Sequence, residues 1–218
     1  MKTSWEDRQW WVWALCCLLL FAGYIAGATW PGRFASLLSP SLDQLRRLAL
    51  QSGMFHSVFR TIGVIFVHNL FAALVVMVVS GIITAGIYPA WAMWMNGLTL
   101  GYVIATESHQ LGVPEWRIFA FGVLPHGLFE LPAFVWCGVL GIHLGYVAVQ
   151  SVWYRLQTSV FRVQPAYDRS DGVFRREFRH TLRLLPYPIG LLLVAATIEG
   201  TITPHLLVSH IHHIPGAL

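Results

Sequence analysis

IGVIFVHNLFAALVVMVVSGIITAGI, residues 62–87, decides the fold class. The run holds no Asp, Glu, Lys or Arg, and at about 1.5 Å per helical residue it is long enough to cross a hydrocarbon core of about 30 Å. Outward from it, further apolar runs span 10–29, 91–106, 118–149 and 182–203. Pro89 is expected to mark a tight turn between the second and third runs. The fourth run is too long for one straight crossing and contains Pro125 and Pro132, so it is either tilted and kinked or split into two half-helices. The expectation is an all-α, polytopic transmembrane helical bundle of five spans, or six if the fourth run is broken.

Composition agrees. Apolar residues make up 56% and charged residues 11% of the 218, against roughly 25% charged in a soluble domain. The formal charge of +4 does not point to nucleic acid, because the basic residues flank apolar runs, where they face lipid headgroups. The lipid bilayer is the first partner. Cys16, Cys17 and Cys137 lie inside apolar runs and read as small buried hydrophobes.

Four regions follow. Residues 1–30 form an N-terminal anchor: Ala26-Gly27-Ala28 mimics a signal-peptidase site, but the run is long and tryptophan-rich, which favours retention. In 31–61, Pro31 and Gly32 break the helix and Ser39-Pro40-Ser41 opens another. Leu42, Leu45, Leu48 and Ala49 then recur at helical spacing against Arg46, Arg47 and Gln51, predicting an interfacial amphipathic helix. Residues 62–204 form the membrane core, interrupted by a linker at 150–183 with seven arginines: Arg155, Arg162, Arg169, Arg175, Arg176, Arg179 and Arg183. With Lys2 and Arg8 this puts nine basic residues on one side and five (Arg33, Arg46, Arg47, Arg60, Arg117) on the other, so the N terminus and the linker are expected in the cytoplasm of a bacterial or archaeal cell. Residues 205–218, with His205, His210, His212 and His213, read as a mobile polar tail.

The polar residues inside apolar runs carry the functional reading, because each requires a partner or a cavity. These are His68 and Asn69, then Asn96, then His126 and Glu130, then Glu199. His126 and Glu130 are four residues apart between Pro125 and Pro132, on one helix face if that stretch is helical. Convergence of His126, Glu130 and Glu199, with His68, Asn69 and Asn96 in support, fits three chemistries. They are a divalent metal such as zinc, a proton relay, and a hydrogen-bonded cluster that sets helix register. Gly23-x3-Gly27, Gly97-x3-Gly101 and Gly141-x3-Gly145 allow close helix approach, within the chain or at a homodimer seam. Trp91, Trp94, Trp116 and Trp136, with Tyr88, Tyr102 and Tyr146, fit an aromatic belt.

Asn69, Asn96-Gly97, Pro125-His126-Gly127-x2-Glu130-Leu131-Pro132 and Ala195-Ala196-x2-Glu199-Gly200-x2-Thr203-Pro204 together resemble the stage II sporulation protein M family, from about Phe59 to Pro204. The family often has two asparagines where this chain has His68-Asn69. The resemblance implies a membrane scaffold, since the family's namesake supports cell-wall-remodelling partners during engulfment. A non-enzymatic scaffold or assembly factor is therefore expected, as a homodimer or with other membrane or cell-envelope proteins. A small transporter or channel using Glu130 and Glu199 is the alternative. An intramembrane metalloenzyme is disfavoured, because no paired-histidine zinc-protease helix occurs.

Overall fold

The computed structural model describes residues 5–51, 57–159 and 172–211. Among these residues every regular element is helical and no strand occurs. In order they are α1 (Trp5–Thr29), α2 (Pro31–Gln51), α3 (Val58–Phe71), a π-helical stretch (Ala72–Val79) and α4 (Ser80–Ile83). There follow α5 (Ile87–Leu111), α6 (Glu115–Arg117), a second π-helical stretch (Ile118–Val123), α7 (Leu124–Ser159), α8 (Val173–Leu184) and α9 (Pro186–Ile211). Four helical runs are apolar and long enough to cross a membrane: 9–29, 58–83, 115–157 and 173–210.

The third of these runs is the hub. It is buried over most of its apolar window, whereas the other three are buried over less than a third of theirs. Around it pack α1, the α3–α4 run, α5 and α9. The α3–α4 run shows how one sequence serves two environments. Ile65, Asn69, Ala73, Met77 and Gly81 are buried at every fourth position, while Val67, Phe71, Val75, Val79 and Ile83 are exposed at the same interval. Exposed valine, phenylalanine and isoleucine in a regular row is what a lipid-facing surface requires, since lipid tails solvate them without penalty.

The glycine spacings are used within the chain. A Cβ on Gly23 or Gly27 would strike the backbone of α5 at Trp94 and Leu98, and one on Gly97 or Gly101 would strike the backbone of α1 at Leu20 and Tyr24. The pairing rises together along both helices, so α1 and α5 run parallel. Gly141 and Gly145 of α7 meet Met77, Gly81 and the Ala85–Gly86 turn in the same way.

Several local expectations are corrected. The turn before α5 falls at Thr84–Gly86, where Ala85 and Gly86 take φ of 56° and 84°; Pro89 is buried in the first turn of α5, a position that tolerates a missing N–H. The helix does break before Pro31, at Trp30, and Pro31 begins α2, which suits proline at a first helical position; no new helix opens at Ser39–Ser41, because α2 continues through Pro40. The segment 42–51 is helical, as its periodicity predicts; the side chains of Leu45, Arg46 and Leu48 lie outside the described residues. The run through Pro125 and Pro132 is helical without a gap from Glu115 to Ser159. A π-helical stretch ends at Val123, two residues before Pro125, where the hydrogen-bond ladder is already shifted. Cys16 and Cys137 are buried but Cys17 is exposed. The expected tail is helical as far as Ile211, since α9 passes through Pro204. Leu207 packs against the small cluster formed by Ile104, Val113 and Ile118, and His210 stacks on Phe121 with ring centroids 4.1 Å apart. His212 and His213 lie outside the described residues, as do Arg162 and Arg169.

Candidate functional site

His126 sits in the first turn of α7 and Glu130 one turn later, so both project from the same face. Glu199 lies midway along α9, the helix packed most extensively on α7. One ligand atom from each of the three falls within 4.8 Å of the others. His126 Nε2 lies 3.9 Å from Glu130 Oε2, with the two side chains 15% and 20% exposed. The group is thus mostly enclosed by helices. Glu199 is half-buried.

The other imidazole nitrogen has its own partner. His126 Nδ1 lies 3.4 Å from Thr203 Oγ1, and Thr203 is buried one turn beyond Glu199 on α9. With the Nδ1 proton donated to Thr203, Nε2 carries the lone pair and points toward the carboxylates. Thr203 belongs to the family pattern but is not among the site residues expected from the sequence. The signal was available, because Thr203 follows Glu199 at i+4 and therefore shares its helix face.

Backbone features bring these helices together. Gly200 faces α3: a Cβ there would meet Ile62 Cγ1 at 2.7 Å, so glycine beside Glu199 lets α3 lie against α9. Pro132 and Pro204 each lack the N–H that would bond the carbonyl four residues earlier. Two π-helical stretches lie nearby in sequence, one beginning three residues after Asn69 and the other ending directly before Leu124. Such turns recur at functional sites because they re-aim side chains relative to a regular helix.

The proposed supporting residues are placed differently from one another. Asn69 is buried in the inward row of α3, whereas His68, one position earlier, is exposed and is not among the three converging residues. A one-residue step along a helix turns the side chain by about 100°, which separates these neighbours. Asn96 is half-buried on α5, next to the glycine seam with α1. Glu107 is half-buried near the end of α5.

Two carboxylates and one imidazole form a mixed oxygen and nitrogen donor set that suits zinc or a related divalent ion. A tetrahedral ion with bonds of about 2.1 Å holds its ligand atoms about 3.4 Å apart. The observed spread of up to 4.8 Å is wider by about 1.4 Å at most, within the reach of carboxylate side-chain rotation. Charge balance fits as well: two carboxylates neutralise one divalent cation, and neutral histidine adds none. In a medium that solvates ions poorly, that equality matters more than any single bond.

The family model for stage II sporulation protein M matches residues 12–204. The chain belongs to the stage II sporulation protein M family. The match begins well before Phe59 and so includes most of α1, in keeping with the close α1–α5 packing. Every member of the converging group lies within it, and so does Thr203. No curated protein and no solved structure matches the chain. This stage II sporulation protein M relative is an integral membrane protein with a His–Glu–Glu cluster able to coordinate a divalent metal.

Proposed function

We propose that the protein is a non-enzymatic membrane scaffold or assembly factor whose helical bundle is organised around a divalent metal bound by His126, Glu130 and Glu199. The observation that carries this reading is the convergence of the three ligand atoms from two helices. A metal there joins α7 to α9 in the interior of the bundle and cancels two charges that would otherwise repel each other. Three protein ligands leave one position of a tetrahedral ion to water or to a second carboxylate oxygen, and the centre joins the helices whether or not that position is used. Partners would be other membrane or cell-envelope proteins, or a second copy of this chain.

Metal analysis of detergent-purified protein tests the reading. One divalent ion per chain is expected, with most of the occupancy lost in Glu130→Gln and in Glu199→Gln. Glu107→Gln should retain it. Metal-free wild-type protein, after purification without chelator and after reloading, would reject the metal centre. Flux through proteoliposomes would instead favour the transporter alternative.

Five crossings are proposed, with α5 added to the four apolar runs and the N terminus cytoplasmic. Parallel packing of α1 on α5 supports this, because a five-span chain requires those two helices to cross in the same sense. In a background without native cysteines, His180→Cys should be shielded from an impermeant reagent applied outside cells and His205→Cys should react. The reverse pattern would invert the topology.

A further inference from the structure

The arginines of α8 are arranged more specifically than topology alone requires. Arg175, Arg179 and Arg183 are all exposed and succeed one another every fourth residue, forming a single row down one face. Each step carries the row about 6 Å along the helix. Arg176 stands beside the row with its guanidinium turned to Glu177 Oε1 at 3.0 Å. The opposite face is held by the rest of the molecule. Phe178 and Leu184 pack on the main core and Thr181 is buried. Glu177 Oε2 lies 3.3 Å from His143 Nε2 of α7. The helix therefore cannot roll to hide its arginines.

The position of the row identifies its partner. After Leu184 the chain passes through Leu185 directly into the apolar helix α9. In the first turn of α9, Tyr187 is 62% exposed and stacks on Trp136 at 5.9 Å with nearly parallel rings. Trp136 is half-buried and Tyr187 covers it from outside; tyrosine and tryptophan at the end of a span sit at the level of lipid headgroups. Arg183 is one turn from that level. Leu182, 49% exposed, lies between Arg179 and Arg183 on the outer surface, an apolar group that a soluble polyanion would not solvate but a bilayer margin would.

We propose that the arginine row of α8 binds the headgroups of anionic phospholipids, with Arg183 closest to the bilayer and Arg175 farthest from it. Each phosphate accepts charge-assisted hydrogen bonds from the planar guanidinium. The contribution falls along the row, because surface potential decays over about 8–10 Å at physiological salt.

Native mass spectrometry of the full-length protein, released from micelles containing equal phosphatidylglycerol and phosphatidylcholine, provides the test. The wild type should retain phosphatidylglycerol in excess. Arg183→Gln should reduce that preference about fivefold, the loss of one near-surface basic residue, with Arg179→Gln weaker and Arg175→Gln weakest. Arg183→Lys should keep most of it, which separates lost charge from damaged folding. An unchanged preference in the triple Gln variant would overturn the proposal. Equal losses at all three positions would also overturn it, assigning the row to a soluble polyanion such as an acidic protein surface.

Discussion

The α1–α5 seam and the α7–α9 face solve opposite problems. Along the seam two helices meet backbone to backbone, with glycines at 23, 27, 97 and 101 and no side chain between them. Across the α7–α9 face, His126, Glu130, Glu199 and Thr203 stand between the helices and provide polar contact. The seam is held by dispersion between closely approached surfaces, since lipid offers no hydrophobic drive for helices to associate. The polar face is held by groups that lipid cannot satisfy. The first kind of contact fails when volume is added, and the second fails when a partner is removed.

That contrast can be broken from either side. The largest effect is expected at the seam. Gly97→Val should destabilise the protein by about 3 kcal/mol, because the atoms it would strike belong to the Leu20 and Tyr24 backbone and have no rotamer to change. Gly32→Ala, where nothing lies within 4 Å, should be neutral or stabilising by up to about 1 kcal/mol. Thermal denaturation in detergent measures both; equal effects would mean that the seam has slack. At the polar face of metal-free protein, Glu130→Leu should destabilise by roughly 1–3 kcal/mol through partners left unpaired, and Glu130→Gln by less, since the amide keeps shape and hydrogen bonding. A larger loss in Gln than in Leu would reject a polar role for this position.

The smallest effect sharpens the comparison. Thr203→Val preserves volume and removes the hydroxyl that faces His126 Nδ1. Stability should change by less than about 1 kcal/mol, whereas metal affinity measured against a competing chelator should fall about tenfold. Unchanged affinity would show that Thr203 packs without orienting the histidine.

Much of this was legible before folding is considered. The helical class follows from apolar length, and His126, Glu130 and Glu199 are conspicuous because ionisable residues are expensive in apolar spans. Asn69 and His68 were not distinguishable, because adjacency in sequence does not tell which of two neighbours joins the inward row. The π-helical stretches escaped notice for a similar reason: a shift in the hydrogen-bond ladder changes no residue's polarity. The glycine spacings announced close approach but not its partner, leaving a homodimer seam as open as an internal one.

The sequence by itself determined that the chain is helical, that it lives in a membrane, which charged residues need company there, and which family pattern they form. Those properties depend on the transfer of side chains between water and lipid, which is local to each residue. Tertiary structure alone decided that Gly23 and Gly27 face Gly97 and Gly101 of the same chain, that Thr203 reaches His126, and that α8 turns its arginines outward while Glu177 meets His143. Each of these is a pairing between surfaces distant in sequence, and such pairings depend on the rotation and depth of whole helices against one another.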